Sequence, residues 1–179
     1  VDLGDGLRLR LIRPGDGVEL AKAYARNRAH LEPWDPVRVP AFFTAEHQEA
    51  QVGLSLREAA EGRSARFLLF DDGGRVLGRV NLNNIVRGAF HSADLGYWID
   101  SSLAGRGIMR RAVSHVRAHA QEHLGLHRIQ AATLVHNVGS QRVLEVNGFR
   151  RIGLPPRYLR IAGEWQDHLL FQRLLEDSR

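Results

Sequence analysis

Leu95-Gly96-Tyr97-Trp98-Ile99, then Asp100–Leu103, then Ala104-Gly105-Arg106-Gly107-Ile108-Met109-Arg110-Arg111 is the stretch that decides the fold. Its first five residues read as a strand, with Leu95, Tyr97 and Ile99 on one face and Gly96 and Trp98 on the other. Gly105 and Gly107 open a helix that runs to about His123, because Val113, Val116, Ala120 and Leu124 recur at helical spacing. Ile129–Leu134 reads as the next strand. A strand, a helix and a strand in that order imply a parallel pair joined by a right-handed crossover. A helix start presents unpaired N–H groups and a positive dipole end. Glycines there let a phosphate approach the backbone, and Arg106, Arg110 and Arg111 add charge. The turn reads either as a phosphate cradle or as an ordinary glycine turn beside solvated arginines. It is not a dinucleotide fingerprint, since Arg110 stands where the third glycine would be, and no Gly-Lys-Ser/Thr makes it a nucleotide-triphosphate loop.

On the N-terminal side, Leu7, Leu9 and Leu11 alternate with arginines as a first strand, and Pro14-Gly15-Asp16 opens a helix to about His30. Leu31–Phe43 holds Pro33, Pro36 and Pro40 and reads as a loop. Thr44 caps a second helix to about Glu61. Arg66–Phe70 and Val76–Ile85 flank the hairpin signal Asp71-Asp72-Gly73-Gly74, and Ala93–Ile99 completes a three-stranded meander. Towards the C-terminus, Gly139–Asn147 is a short helix stopped by Gly148. Phe149–Leu175 reads as two strands around Ala162-Gly163. The expected order is β-α-α-β-β-β-α-β-α-β-β, an α/β fold with a mostly antiparallel mixed sheet. No repeat or linker interrupts it, so one domain over 1–179 is expected.

The 179 residues are 44% hydrophobic and 25% charged, ordinary for a globular chain. No apolar run reaches membrane-spanning length, and Val1–Asp5 has the character of neither a signal nor a transit peptide. A cytoplasmic protein without membrane attachment is expected. Cysteine is absent, which excludes disulfides, thiolate metal sites and a cysteinyl intermediate. The net charge is +5 and Lys22 is the single lysine among 25 basic residues. Arginine suits bidentate phosphate contacts, but the balance alone selects no polyanion. His115, His119 and His123 recur every fourth residue, yet they flank the apolar stripe instead of converging, so no metal site is expected.

The order and spacing of several short motifs resemble the GNAT-superfamily N-acetyltransferases, specifically the RimJ/RimL branch that acetylates N-terminal amines of ribosomal proteins. These motifs are Asn27–Trp34, Leu77-Gly78 with Asn81–Arg87, Leu95–Ile99, Gly105–Met109, Asn137–Ser140 with Gly148-Phe149, and Trp165–His168. The resemblance spans nearly the full length. It implies acetyl-CoA as co-substrate, no metal, and direct transfer of acetyl to an amine, with a protein or peptide N-terminus as the acceptor. It requires no direct nucleic acid contact and allows a homodimer. Small amines such as aminoglycosides or polyamines are the alternative acceptors, and they would want an acidic pocket that Glu32 and Asp35 hardly supply. A silent acyl-CoA-binding or RNA-associated module is the reading from another class.

The resemblance also implies roles for single residues. Leu95, Gly96, Tyr97, Trp98 and Ile99 would face pantetheine, and Ala104 to Arg110, including Ile108 and Met109, the pyrophosphate. Ala104 departs from the usual Gln or Arg of that motif, and Met109 from the usual Gly or Ala. Ser140 is the expected general acid toward the CoA sulfur, or else a helix-start serine. Asn137 contacts pantetheine, caps the helix, or does both. Asp94 and Glu164 are the candidate bases, alongside the option of no dedicated base. Asn27, Leu31, Trp34 and Asn81 would line the acceptor groove, with a buried Trp34 pinning the loop as the competing reading.

Overall fold

The computed structural model describes residues 1–175. The described strands are β1 (Asp2–Gly4), β2 (Leu7–Leu11), β3 (Ala65–Asp71), β4 (Val76–Val86), β5 (Ser92–Ile99), β6 (Arg128–Leu134), β7 (Arg150–Gly153), β8 (Leu159–Ile161), β9 (Glu164–Gln166) and β10 (His168–Leu174). The helices are α1 (Gly17–Arg26), α2 (Arg28–Leu31), α3 (Ala45–Ala60), α4 (Ile108–Glu122) and α5 (Val138–Val146). Eight strands form one sheet in the order β1-β2-β3-β4-β5-β6-β10-β7, and β8 and β9 form a separate ribbon. Every pairing in the large sheet is antiparallel except β5–β6. That is the mixed sheet with one parallel pair that the central strand–helix–strand implied.

The parallel pair is short. It joins Ser92, Ala93 and Asp94 to Arg128, Ile129 and Gln130. Beyond that rung β5 continues to Ile99 and β6 to Leu134 with no pairing between them. The sheet therefore splits into a wedge in its middle. A further irregularity lies on the other side of β5, where its register with β4 shifts between Asn83 and Val86 and Asn84 takes φ +49°. Such a bulge bends a strand locally.

Two apolar clusters hold the layers. Val80 and Leu82 of β4 and Leu95 of β5 pack against Ile108, Val113 and Val116 of α4 on one face. Leu68, Phe70 and Val76 pack against Leu20, Ala23 and Tyr24 of α1 and Val52 of α3 on the other. Each fully buried Leu or Val contributes roughly 1.5–3 kcal/mol. The start of α1 lies so close to α3 that a Cβ on Gly17 would sit 2.4 Å from the Glu49 amide nitrogen. Glu49 also caps α1, accepting from the Gly15 and Gly17 amides at 2.8 and 2.9 Å. Thr44 caps α3 as expected, its hydroxyl accepting from His47 N–H at 3.2 Å.

The structure corrects the expected element order in four places. Asp2–Gly4 adds a strand ahead of Leu7–Leu11. The first helix does not run unbroken to His30, because Asn27 leaves helical geometry and its amide bonds Ala23 O instead. The proline-rich loop contains one 3₁₀ turn, Pro40–Phe43. The C-terminal segment forms four strands, not two. Pro155 and Pro156 follow β7 and cannot donate to a ladder, so the chain leaves the main sheet, builds the β8–β9 ribbon around Ala162-Gly163 and returns as β10. Among the described residues no helix is long and apolar enough to cross a membrane.

Candidate active site

The wedge between β5 and β6 and the turn before α4 form one continuous backbone feature. The β6-facing backbone of residues 95–99 has no strand partner. The N–H groups of Gly105, Gly107, Ile108, Met109 and Arg110 make no hydrogen bond among the described residues. Gly105 and Gly107 both take left-handed φ, +77° and +72°, which turns these amides outward together. The side chains of Arg106 and Arg110 are exposed and pair with no carboxylate among the described residues, whereas Arg111 pairs with Asp5 at 2.5 Å. Ile108 and Met109 point into the core, so these two offer only their amides. Ala104 is exposed, and its N–H bonds Ser101 O at 3.4 Å. Donors and charge converge here as an anion site needs, and they come from backbone more than from side chains.

Across the mouth of the wedge, β5 and α5 are joined by one polar contact. The Tyr97 hydroxyl lies 2.8 Å from Ser140 Oγ and 3.0 Å from Ser140 O. The phenol has one proton: given to Ser140 O, it leaves Ser140 Oγ to donate to the phenol oxygen, and given to Oγ, it leaves the Ser140 proton free to point into the wedge. Burial pushes the Tyr97 phenol above its ordinary pKa, and the Ser140 hydrogen bond only partly opposes this. The phenol thus stays protonated across the physiological range. Asn137 caps α5, its Oδ1 accepting from Ser140 N–H at 3.1 Å. That cap fixes Ser140 at the helix start facing Tyr97.

A second network ties the end of β5 to α1. Asp100 is buried and accepts from Arg26 Nε at 2.9 Å, Asn27 Nδ2 at 2.8 Å, and Ser102 N–H and Oγ at 3.0 and 2.7 Å. Burial alone would raise its pKa, but the bonds from Asn27, Ser102 and Arg26 outweigh it and hold the carboxyl far below the usual range. Asn27 Oδ1 accepts from Ser101 N–H at 3.0 Å. Both ends of the Asn27 amide are therefore engaged. Only 1% of the residue is exposed, and it braces the turn instead of lining a groove.

On the face of the sheet opposite α4, two cavities adjoin each other. One, of about 380 Å³, is walled by Tyr24, Leu31, Phe42 and Phe43, with Arg28, Glu32 and Ala162 at its rim. The other, of about 330 Å³, is walled by Gln48, Ser55, Arg66, Arg79, Asn81 and Asn83 and reaches Gly96, Tyr97 and Trp98 of β5. Tyr24, Asp35, Arg38 and Phe42 border both. The Tyr24 hydroxyl accepts from Trp98 Nε1 at 3.2 Å and from Arg79 Nη1 at 3.4 Å. The β8–β9 ribbon docks at the rim through Ala162 N–H to Asp35 O at 2.9 Å.

The expected acceptor residues divide. Leu31 and Asn81 line these cavities. Asn27 does not, and Trp34 lies half-buried against the His136 ring, centroids 5.5 Å apart, beside the loop that leads to Asn137. Neither candidate base lines these two cavities. Asp94 is exposed at the last parallel rung and accepts from Asn84 Nδ2 at 2.9 Å. Glu164 is exposed at the start of β9. Asp167 caps Arg157 N–H, and His168 bonds Gln166 O, so these two neighbours do not pair. His119 and His123 stack on each other at 4.8 Å, and His119 meets Phe67 edge-on.

Tyr24, Asp35, Arg66, Arg79 and Asn83 were not among the expected site residues. A signal for two of the group was present, since Arg79 and Asn83, with the expected Asn81 between them, alternate with Val80 and Leu82 and so give a central strand one polar face. Tyr24 and Arg66 carried no such mark, because their meeting depends on how α1 crosses the sheet.

Comparison with known proteins matches this geometry. The family description "Acetyltransferase (GNAT) domain" covers residues 6–150. The chain is 36% identical to the [Ribosomal protein uS5]-alanine N-acetyltransferase of Escherichia coli K12, over 93% of this chain and 86% of that protein. The crystal structure of the ribosomal-protein-S5-alanine acetyltransferase of Vibrio fischeri superposes with a TM-score of 0.94 at 36% identity, covering 98% of this chain and 97% of that one. Mycobacterium smegmatis RimJ in complex with a CoA disulfide superposes with a TM-score of 0.88 at 33% identity, over 94% and 81% of the two chains. The split sheet, the open amide turn and these likenesses agree: the chain belongs to the GNAT acetyltransferases, enzymes that use acetyl-CoA, in their RimJ/RimL-like branch.

Proposed function

We propose that this protein transfers acetyl from acetyl-CoA to the N-terminal α-amino group of a ribosomal protein. The observation that carries the reading is the 36% identity, over nearly the whole chain, to a uS5-alanine N-acetyltransferase. In this reading the free amides of Gly105 and of Gly107 to Arg110 hold the pyrophosphate, with the Arg106 and Arg110 side chains adding charge. The unpaired edge of β5 pairs with the pantetheine amides as an added strand would. A backbone N–H of β5 stabilises the carbonyl oxygen as charge develops on it.

The cavity on the α1/α3 face receives the amine. The amine nitrogen bonds the acetyl carbon, the C–S bond breaks, and Ser140 Oγ supplies a proton to the leaving sulfur with Tyr97 behind it. The proton lost by the amine passes to water. An α-amino group has an ordinary pKa of about 7.7–8.0, so it is partly neutral near pH 7 and needs no strong base. This accommodates the placement of Asp94 and Glu164 outside the cavities. Polyamines and aminoglycosides fit poorly, because the polar cavity sets Arg38, Arg66 and Arg79 against a single Asp35. Work on ribosomal proteins would place the enzyme in the cytoplasm.

The test is acetyl transfer to peptides carrying the N-terminal sequences of ribosomal proteins, followed by CoA thiol release and by mass spectrometry of the α-amine. At least one such peptide should be acetylated on its free α-amine, and its N-formylated form should not. Binding of acetyl-CoA without turnover of any ribosomal peptide would refute the acceptor assignment.

A further inference from the structure

We infer that the acceptor's N-terminal segment carries a carboxylate side chain at its second to fourth residue, and that Arg79, with Arg66 behind it, reads that charge. The inference rests on the peptide acceptor proposed above and deepens it. Its basis is a conflict in β4. An inner strand covered by helices on both faces is normally apolar on both. The α4 face of β4 obeys this, with Val80 and Leu82 fully buried. The opposite face carries Arg79, Asn81 and Asn83. On β3, Arg66 opposes Asn81 and Leu68 opposes Arg79, so the two arginines are diagonal neighbours on that face. Burial first, and the nearby Arg79 second, lower the Arg66 pKa, which agrees with two crowded cations.

The charges around the cavity do not balance. Arg38 pairs with Asp35 at 3.2 Å and Arg66 with Glu58 at 2.7 Å. Among the described residues Arg79 has only neutral partners, donating from Nε to Asn81 Oδ1 at 2.8 Å and from Nη1 to the Tyr24 hydroxyl. A half-buried guanidinium without a counter-ion is costly unless a ligand supplies one. The phosphate cradle cannot, because it opens the α4 helix on the other face of the sheet. Distance selects the acceptor. β4 lies about 5 Å and β3 about 10 Å from β5, whose Gly96 lines the same cavity. An extended peptide advances about 3.3 Å per residue. A carboxylate a few residues behind the amine therefore reaches these arginines.

Peptides beginning with alanine and carrying Glu or Gln at position 2, 3 or 4 test this by kcat/KM. At one of these positions the wild-type enzyme should favour Glu over Gln by roughly ten- to hundredfold, the worth of a hydrogen-bonded charge. Arg79→Gln should level the two rates. Equal wild-type rates for Glu and Gln at all three positions overturn the inference and leave N-terminal acetylation standing. Turnover of no peptide overturns both. Retention of the full Glu preference by Arg79→Gln removes that residue from the reading. Thermal melting reports whether the variant folds, and if it does not, the wild-type panel decides alone.

Discussion

The donor edge and the acceptor-side cavity of this protein are built from different material. Along β5 and at the start of α4 the available groups are mostly backbone amides, displayed because a strand loses its partner after Asp94 and because Gly105 and Gly107 take positive φ. On the opposite face the groups are side chains, Tyr24, Arg66, Arg79, Asn81 and Asn83, held by a helix and two strands distant in sequence. A backbone site tolerates side-chain change, which accounts for an alanine at position 104. A side-chain site does not, and in the proposed function it is the part that selects the amine.

The difference can be tested at the joint between the two regions, where the largest effect is expected. Asp100 links the end of β5 to Arg26 and Asn27. Asp100→Ala leaves the buried Asn27 amide and the Arg26 guanidinium without this acceptor and should cost about 3 kcal/mol of stability, measured by urea unfolding at pH 7. The pH dependence follows from the depressed carboxyl pKa. Its stabilisation is complete above the unfolded value of about 3.9 and is lost progressively as pH falls below it. Asp100→Asn should therefore show a shallower loss of stability between pH 5 and pH 2, by roughly the share this carboxylate supplies. An unaltered profile would assign the acid sensitivity to other groups.

Ser140 comes next, where side-chain chemistry enters the donor edge. Ser140→Ala should lower kcat about 100-fold, the lower range for a general acid, while acetyl-CoA affinity by calorimetry changes less than about twofold. Unchanged kcat would reduce Ser140 to a helix-start residue. The smallest effect is expected in the amide turn. Gly107→Val forces a β-branched residue into φ +72° and should weaken acetyl-CoA binding about tenfold, with discrimination among acceptor peptides unchanged. A shift in that discrimination would show that the two regions are not independent.

Much of the donor side was legible in the sequence. The strand of residues 95–99, the glycines at 105 and 107 and the stripe of α4 are adjacent along the chain, and their spacing carries their geometry. The same holds for the Asn137 cap that presents Ser140. The acceptor side was read less well. Asn27 lies between Tyr24 and Leu31, which line a cavity, but its side chain turned inward to Asp100, 73 residues away. The two strands expected at the C-terminus became four because the consequence of Pro155-Pro156 depends on what β7 and β10 pair with.

Local spacing alone thus determined the crossover and the glycine-opened helix start, since each depends on residues within a turn or two of one another, while the CoA donor followed from the family resemblance carried by motifs along the whole chain. Tertiary structure decided the rest: the wedge between β5 and β6, the Tyr97–Ser140 contact and the arginine-lined cavity. Those features arise where segments far apart in the chain meet. Which side chains face each other there follows from strand order and helix crossing, neither of which any single segment encodes.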